Sequence, residues 1–211
     1  MRKLNNELDE FVRNTIVDDL KNKKYVQFNE ENFMHKANDQ RFFDYLYSYM
    51  LKYVKNPDMI TDRIVTKNIS GNRDFSGIFY QGGNISCVVP VRETMFDEMV
   101  NIHEIAHLIA CFINPESEKS ILREVIPFFN EYEYLKRIHP FYAECYEKYR
   151  LNNAIRLAKH ESISDDELPE IYAYSALEKK KKKYNIESLN KLNARSKKLE
   201  KKLEFKGYTI V

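Results

Sequence analysis

The stretch VNIHEIAHLIACF, residues 100–112, carries two histidines four positions apart. Residues at positions i and i+4 lie on one face of a helix, so the imidazoles of His103 and His107 can reach a single ion. Neutral imidazole is a common zinc ligand, and two imidazoles supply half of a tetrahedral shell. Glu104, beside the first histidine, is placed to accept a proton from a water molecule that the ion activates. The pattern His-Glu-x-x-His therefore predicts a hydrolytic zinc site.

The surroundings of these three residues favour metal binding over ordinary packing. The rest of the stretch 100–112 is almost entirely apolar, and a buried polar group without a partner costs about 1–3 kcal/mol. A metal ion would give both imidazoles a partner. The alternative is a pair of hydrogen-bonded core histidines, although a pattern with three fixed positions arises by chance in only about one chain in a hundred of this length.

A catalytic zinc site usually has a third protein ligand and one open position. The extended pattern His-Glu-x-x-His-x-x-Gly-x-x-His would supply a third histidine, but Ala110 and Ile113 stand at its last two fixed positions. A glutamate from the next helix is the other solution. Glu116 and Glu118 are expected to lie too close to the turn between the helices to fold back onto the site.

Glu124 is the preferred third ligand, because the chain between His107 and Glu124 is long enough to finish one helix, turn and return antiparallel. Glu131 lies seven residues further along the same predicted helix face, where it could hydrogen-bond a ligand histidine from outside the metal shell. It is also the alternative third ligand. For either residue alone, a surface carboxylate is the simpler interpretation.

The elements that must position these residues are mostly helical. The chain is 43% hydrophobic and 31% charged, with only 5 Gly and 6 Pro to interrupt helices, which favours one mainly α domain over residues 1–211. Periodicity and helix-start signals predict helices over about 4–20, 39–54, 57–68, 94–112, 114–137, 139–159 and 169–201. Pro127 should kink or split the helix that contains it.

The segment SGIFYQGGNISCVVPV interrupts this helical pattern. It is rich in Ile and Val and contains three of the five glycines, so it predicts strands over 77–80 and 85–91 joined by a turn. The expected fold class is mainly α with a small antiparallel β-hairpin, an α+β arrangement. We expect N-terminal helices in 1–70, the metal-binding core in 71–178 and a basic helical extension in 179–211.

Charge and cysteine content limit the partners and the compartment. With 34 basic and 32 acidic residues the net charge is +2, so nucleic acid is an unlikely general partner. The start of the chain has no apolar leader pattern and no window is long enough for a membrane span. Cys87, Cys111 and Cys145 are expected to be reduced core thiols, which predicts a cytoplasmic protein without a membrane partner. The run EKKKKKY is expected to be a solvated face, with RNA or another acidic partner as the alternative.

Two segments together resemble the metal-binding core of the thimet oligopeptidase and oligopeptidase F family of zinc peptidases. MVNIHEIAHLIA is followed by LREVIPFFNE, in which Glu124, Pro127 and Glu131 reproduce the family's order, with the proline one place later than usual. Ala106 stands where the family usually has glycine. The resemblance implies a zincin-like catalytic core whose zinc is held by the two histidines and a downstream glutamate.

Two further segments extend the resemblance. SGIFYQGGNISCVVPV is similar to the family's Gly-aromatic segment and edge strand, which implies that Gly77 and Tyr80 belong to a strand against which a peptide substrate lies. LPEIYAYSAL is similar to its Tyr-rich helix. By resemblance, Tyr174 donates its hydroxyl to the oxyanion of the reaction, with Tyr172 beside it.

The motif and the resemblance predict one function and leave an alternative open. The predicted function is a metallopeptidase with one Zn²⁺ ion that cleaves a peptide or protein substrate by Glu-assisted attack of water. The alternative is a zinc-containing regulatory or binding module with little activity, whose basic C-terminal helix binds an acidic partner. A purely structural zinc site is weaker, because no fourth Cys or His ligand is evident. Iron, manganese or cobalt could replace zinc in such a ligand set.

Overall fold

A computed structural model describes residues 2–29, 33–37, 40–68 and 76–181 of the chain. They form a helical protein with one small sheet, an α+β fold. The helices and strands are α1 (Arg2–Phe11), a π-helical segment (Val12–Val17), α2 (Asp18–Lys21), α3 (Arg41–Met50), α4 (Asp58–Thr61), β1 (Ile64–Lys67), β2 (Gly77–Gln81), β3 (Asn84–Pro90), α5 (Met95–Ile113), a 3₁₀ turn (Ser117–Lys119), α6 (Val125–Ile138), α7 (Pro140–Ala158) and α8 (Leu168–Lys181).

The predicted β-hairpin is confirmed. Strands β2 and β3 pair antiparallel, with Gln81 opposite Asn84 across a two-residue turn. Gly82 and Gly83 in that turn have φ angles of 58° and 82°. Positive φ at both central residues matches the twist of a tight hairpin and favours glycine.

The sheet contains a third strand that the sequence prediction missed. Strand β1 pairs parallel with β3, so the strand order is β1-β3-β2 and the sheet is mixed rather than a simple antiparallel hairpin. The helix predicted over 57–68 is correct only for α4. The β-branched run at Ile64, Val65 and Thr66 was the available signal, because such side chains fit a pleated surface better than a helix.

Helix α5 starts where the sequence predicted. The hydroxyl of Thr94 accepts a hydrogen bond from the backbone N–H of Asp97, and the Asp97 carboxylate accepts one from the backbone N–H of Thr94. This reciprocal capping satisfies two N–H groups that a helix start leaves without partners. The helix then runs unbroken through His103 and His107.

The helix predicted over 114–137 is wrong in its first half. Only a short 3₁₀ turn and further turns follow α5, and the α-helix begins at Val125, immediately after Glu124. Pro127 therefore lies in the first turn of α6, where its missing N–H would have no helical partner in any case. It neither kinks nor splits the helix. The predicted starts of α7 at Pro140 and of α8 near Pro169 are confirmed.

The buried apolar side chains of the described residues form two clusters. The first joins the sheet, α3, α5 and α6, and it includes Ile102, Ile105 and Ile109 of α5. The second joins the π-helical segment, α7 and α8, and it includes Phe128 from the start of α6. The side chains on the remaining face of α5 lie where α6, α7 and α8 approach one another.

Some sequence predictions fall outside the described residues. The extension of the last helix beyond Lys181 belongs to this group, together with the last two lysines of the run, Lys182 and Lys183. Within the described ranges, none of the helices combines the length and the apolar character that crossing a bilayer requires. All three cysteines are free thiols, as predicted.

Candidate metal centre

The three side chains predicted to bind the metal converge on one point. The Nε2 atoms of His103 and His107 are 3.1 Å apart. One carboxylate oxygen of Glu124, Oε2, lies 3.2 Å from Nε2 of His103 and 3.4 Å from Nε2 of His107. Helix α5 sets the two imidazoles one turn apart, and the start of α6 brings the glutamate against them.

The size of this triangle fits a tetrahedral metal ion. Ligand atoms about 2.0–2.1 Å from zinc are separated by about 3.3 Å in a tetrahedral shell. The three observed separations of 3.1, 3.2 and 3.4 Å lie close to that value. Three protein ligands leave a fourth position for water or substrate, which is the arrangement of catalytic rather than structural zinc sites.

Hydrogen bonds on the far sides of the imidazoles direct both Nε2 atoms toward the same point. Nδ1 of His103 lies 2.9 Å from a carboxylate oxygen of Glu131, and Nδ1 of His107 lies 3.1 Å from one of Glu118. An ionised carboxylate only accepts hydrogen bonds, so each Nδ1 carries the proton. Two neutral imidazoles would then point lone pairs at each other and at Glu124, an arrangement that a cation between them would stabilise.

The glutamates around the two imidazoles also shift their pKa values. Burial lowers the pKa of His103, but Glu131 and Glu124 outweigh burial and raise that pKa well above its ordinary value. Burial also lowers the pKa of His107, and hydrogen bonds to Glu118 and Glu124 raise it to about 9. The same imidazoles hold the pKa of Glu124 well below its usual range in spite of burial. The three glutamates therefore favour positive charge at the two imidazoles.

Glu131 has the position predicted for a residue outside the metal shell. Arg150 of α7 donates from Nη2 to both of its carboxylate oxygens at 2.6 Å, and the Tyr146 hydroxyl donates to it as well. Burial raises the pKa of Glu131, but Arg150 and His103 outweigh burial and lower it. The oxygens of Glu131 accept hydrogen bonds from Arg150, Tyr146 and Nδ1 of His103. Glu131 is therefore not placed as the third ligand. The choice between the two glutamates therefore falls on Glu124.

The expectation that Glu118 lies too near the turn to reach the site was wrong. The segment after α5 is a 3₁₀ turn rather than a continuing α-helix, and this tighter path brings Glu118 back against Nδ1 of His107. Arg123 stabilises the same segment through two hydrogen bonds. It donates to the backbone carbonyl of Glu118 at 3.1 Å and to the carboxylate of Asp166 at 2.9 Å. Its Nε also lies 3.6 Å from the second carboxylate oxygen of Glu124.

A cavity of about 380 Å³ lies beside the candidate metal centre. Glu104 lines it, together with two of the three predicted ligands, His103 and Glu124. Burial raises the pKa of Glu104, although His103 and His107 act in the opposite direction. A raised pKa brings a carboxylate closer to the range in which it exchanges protons at neutral pH. The remaining walls come from α6, α7 and α8, and from Ser76 just before β2.

The two predicted tyrosines lie elsewhere. Tyr174 is 6% exposed and packs with Val12 and Ile16 in the second apolar cluster. Its hydroxyl interacts with Glu178. Tyr172 packs against the same cluster. Neither is among the described residues that line the cavity, whereas Tyr149 of α7 is.

Strand β2, which contains the predicted substrate-contacting residues Gly77 and Tyr80, lies at the edge of the sheet. Ser76, directly before it, lines the cavity. Tyr80 is 57% exposed, and its hydroxyl donates to Sγ of Cys111 on α5 at 3.2 Å. The strand therefore runs along α5 from the cavity toward the C-terminal end of that helix.

Sequence reasoning missed the contribution of α7 and α8 to the site. Arg150, Asn153, Arg156 and Glu170 all line the cavity. The spacing of Arg150, Asn153 and Arg156 places them within two turns of one helix face, which was a usable signal. Nothing in the sequence indicated that this face would meet the His103 side of α5.

No family model, curated protein or solved structure matches this chain.

Proposed function

We propose that this chain is a zinc-dependent metallopeptidase with a zincin-like catalytic core, and that it hydrolyses peptide bonds. The observation that carries the proposal is the convergence of Nε2 of His103, Nε2 of His107 and Oε2 of Glu124 within 3.4 Å of one another. Glu104 stands beside them in an accessible cavity. A metal-binding triangle with an adjacent carboxylate and room for a substrate is the minimum set for hydrolysis by activated water.

Each residue of the site has a separate role in this proposal. His103, His107 and Glu124 hold zinc, which when bound supplies a Lewis acid that lowers the pKa of water to about 7. Glu104 accepts the proton of the attacking water and later delivers it to the leaving amine. Glu131 and Glu118 fix the orientation of the two imidazoles through their Nδ1 protons.

The edge strand suggests how a peptide is held. A strand at the edge of a sheet presents unpaired backbone N–H and C=O groups, and an extended peptide can pair with them as an added strand. Strand β2 has this edge position, and Ser76 before it already lines the cavity. A substrate paired with residues 77–80 would reach the metal centre at its end nearest Ser76.

The first experiment is elemental analysis of the purified full chain, followed by digestion of a mixed peptide library with and without a chelator. We expect about one zinc ion per chain and cleavage that the chelator abolishes. The Glu104→Gln variant should retain its zinc and lose about 10²–10⁴-fold in kcat/KM, the usual contribution of a general base. Glu144→Gln is the matched control, because Glu144 is an exposed glutamate of α7 that pairs with Lys148.

Two results would reject the peptidase proposal. One is a zinc-loaded protein that cleaves nothing in the library, which would favour a zinc-containing binding module instead. The other is a Glu104→Gln variant that works at a rate near that of the wild type.

A further inference from the structure

The cavity beside the metal centre is also lined by a carboxylate that the proposed mechanism does not use. Glu170 lies in the first turn of α8 and lines the cavity together with His103 and Glu104. Its charge interacts with those of Glu124 and His103. Glu170 is therefore part of the space that a substrate would occupy next to the metal.

A chain of two hydrogen bonds holds this carboxylate in place. Nη2 of Arg156 donates to Oδ1 of Asn153 at 2.8 Å, and Nδ2 of Asn153 donates to Oε2 of Glu170 at 2.8 Å. Because a guanidinium only donates, the amide atom of Asn153 that faces Arg156 must be the oxygen. The other amide atom is then the nitrogen, which donates to Glu170. Asn153 thus positions the carboxylate, and its amide lies between that carboxylate and the guanidinium of Arg156.

Among the described residues, no cation lies within ion-pairing distance of Glu170. The other glutamates of the cavity differ in this respect. Glu131 pairs with Arg150 at 2.6 Å, and Glu124 faces the two imidazoles. Burial raises the pKa of Glu170, and the more distant Arg150 only partly offsets that effect. The hydrogen bond from Asn153 comes from a neutral amide, so the carboxylate can still accept one from a cationic donor.

We propose that Glu170 binds a cationic group of the substrate close to the cleaved bond, so that this site prefers peptides with an ammonium or guanidinium group at that position. The inference rests on the proposed peptidase function. A charge-assisted hydrogen bond in a confined cavity is stronger than the same contact on an open surface. The cation is either the free α-amino group of the peptide or a Lys or Arg side chain, which share this chemistry.

A binding experiment tests the inference without relying on turnover. The protein is the full-length, zinc-loaded Glu104→Gln variant, which should hold a peptide without cleaving it. Calorimetry compares one Lys-containing peptide with its N-acetylated form and with a form in which norleucine replaces Lys. We expect the Kd to rise about tenfold or more when the recognised charge is removed. Adding Glu170→Gln should abolish that difference and leave zinc content unchanged.

The matched control is Glu161→Gln, an exposed glutamate in the loop before α8. It should preserve the preference for the charged peptide. Loss of affinity on acetylation identifies the α-amino group as the cation, and loss on norleucine substitution identifies the side chain. The inference is overturned if Glu170→Gln weakens charged and uncharged peptides equally, if it changes neither, or if none of the three peptides binds. Failure of the proposed function is a separate result, namely a wild-type protein that binds a peptide and does not cleave it.

Discussion

His107 owes its orientation to a residue on each side of its ring. Its Nε2 faces Glu124, and its Nδ1 proton is held by Glu118 in the 3₁₀ turn after α5. A carboxylate on the far nitrogen fixes the tautomer and makes the near nitrogen a better metal ligand. His103 is held in the same way by Glu131, which Arg150 and Tyr146 hold in turn.

This arrangement predicts that Glu118 controls zinc affinity although it does not contact the ion. The Glu118→Gln variant should bind zinc about 10–100-fold more weakly, the usual effect of losing such a partner. Competition with a chromogenic chelator measures the difference. Glu116→Gln is the control, because Glu116 lies two residues away and pairs with Lys119 at the surface. Equal zinc affinity for Glu118→Gln and the wild type would contradict the assigned role.

At the residue scale, the sequence indicated the proposed metal ligands better than the glutamates that hydrogen-bond to them. His103, Glu104 and His107 follow from spacing within one helix, because i and i+4 share a face whatever the rest of the chain does. The bond between His103 and Glu131 joins residues 28 positions apart, and the bond between His107 and Glu118 depends on a 3₁₀ turn. The seven-residue spacing between Glu124 and Glu131 indicated the first of these contacts, whereas no local pattern indicated the second.

At the scale of elements, the start of α5 sets the register of the metal-binding helix. Thr94 and Asp97 cap each other's backbone N–H groups, and the sheet strand β3 ends just before them. The cap therefore fixes where the helix begins relative to the sheet. His103 and His107 follow at positions that this start determines.

The capping pair gives a prediction about stability. Thr94→Ala should lower the free energy of unfolding by about 1 kcal/mol, because the N–H of Asp97 loses its acceptor. For a chain of this size that corresponds to a fall in Tm of roughly 2–4 °C. Thermal denaturation measures it, and Thr94→Ser should retain most of the stability. A fall in Thr94→Ser equal to that in Thr94→Ala would show that the methyl group, not the hydroxyl, is responsible.

Sequence patterns predicted elements well where a local signal was strong. The Gly82-Gly83 turn, the cap at Thr94 and the proline at the start of α7 each act on their immediate neighbours. The sequence prediction missed strand β1, because the four residues of this strand acquire their conformation from pairing with β3 rather than from a strong local signal. Local propensity for strands is weak compared with such pairing.

At the scale of the whole molecule, a bound zinc ion would add a link between two helices that already contact each other through packing and hydrogen bonds. His103 and His107 belong to α5, and Glu124 stands at the start of α6. A ligand that binds only the folded state stabilises it by mass action, by about 2.7 kcal/mol at a free concentration one hundred times Kd. Such an ion would contribute to stability as well as to the proposed catalysis.

Zinc should therefore raise the Tm of the full chain in a concentration-dependent way. Thermal denaturation of the chelator-treated protein, repeated with zinc at about one hundred times Kd, should show an increase of roughly 5–10 °C. The His107→Gln variant lacks one ligand and should respond far less. A wild-type Tm that does not change with zinc would mean that the three side chains do not bind the ion in the folded protein.

The sequence by itself determined the pair of imidazoles, the glutamate between them and the helix that carries all three. Spacing along one helix is a local property, so those residues share a face before any tertiary contact forms. Only the tertiary structure decided that Glu124 joins the imidazoles, that Glu118 and Glu131 support them, and that α7 and α8 bring Arg150, Asn153 and Glu170 to the cavity. The physical reason is that these contacts depend on how separate helices pack, and packing is set by many buried side chains together rather than by the neighbours of any one residue.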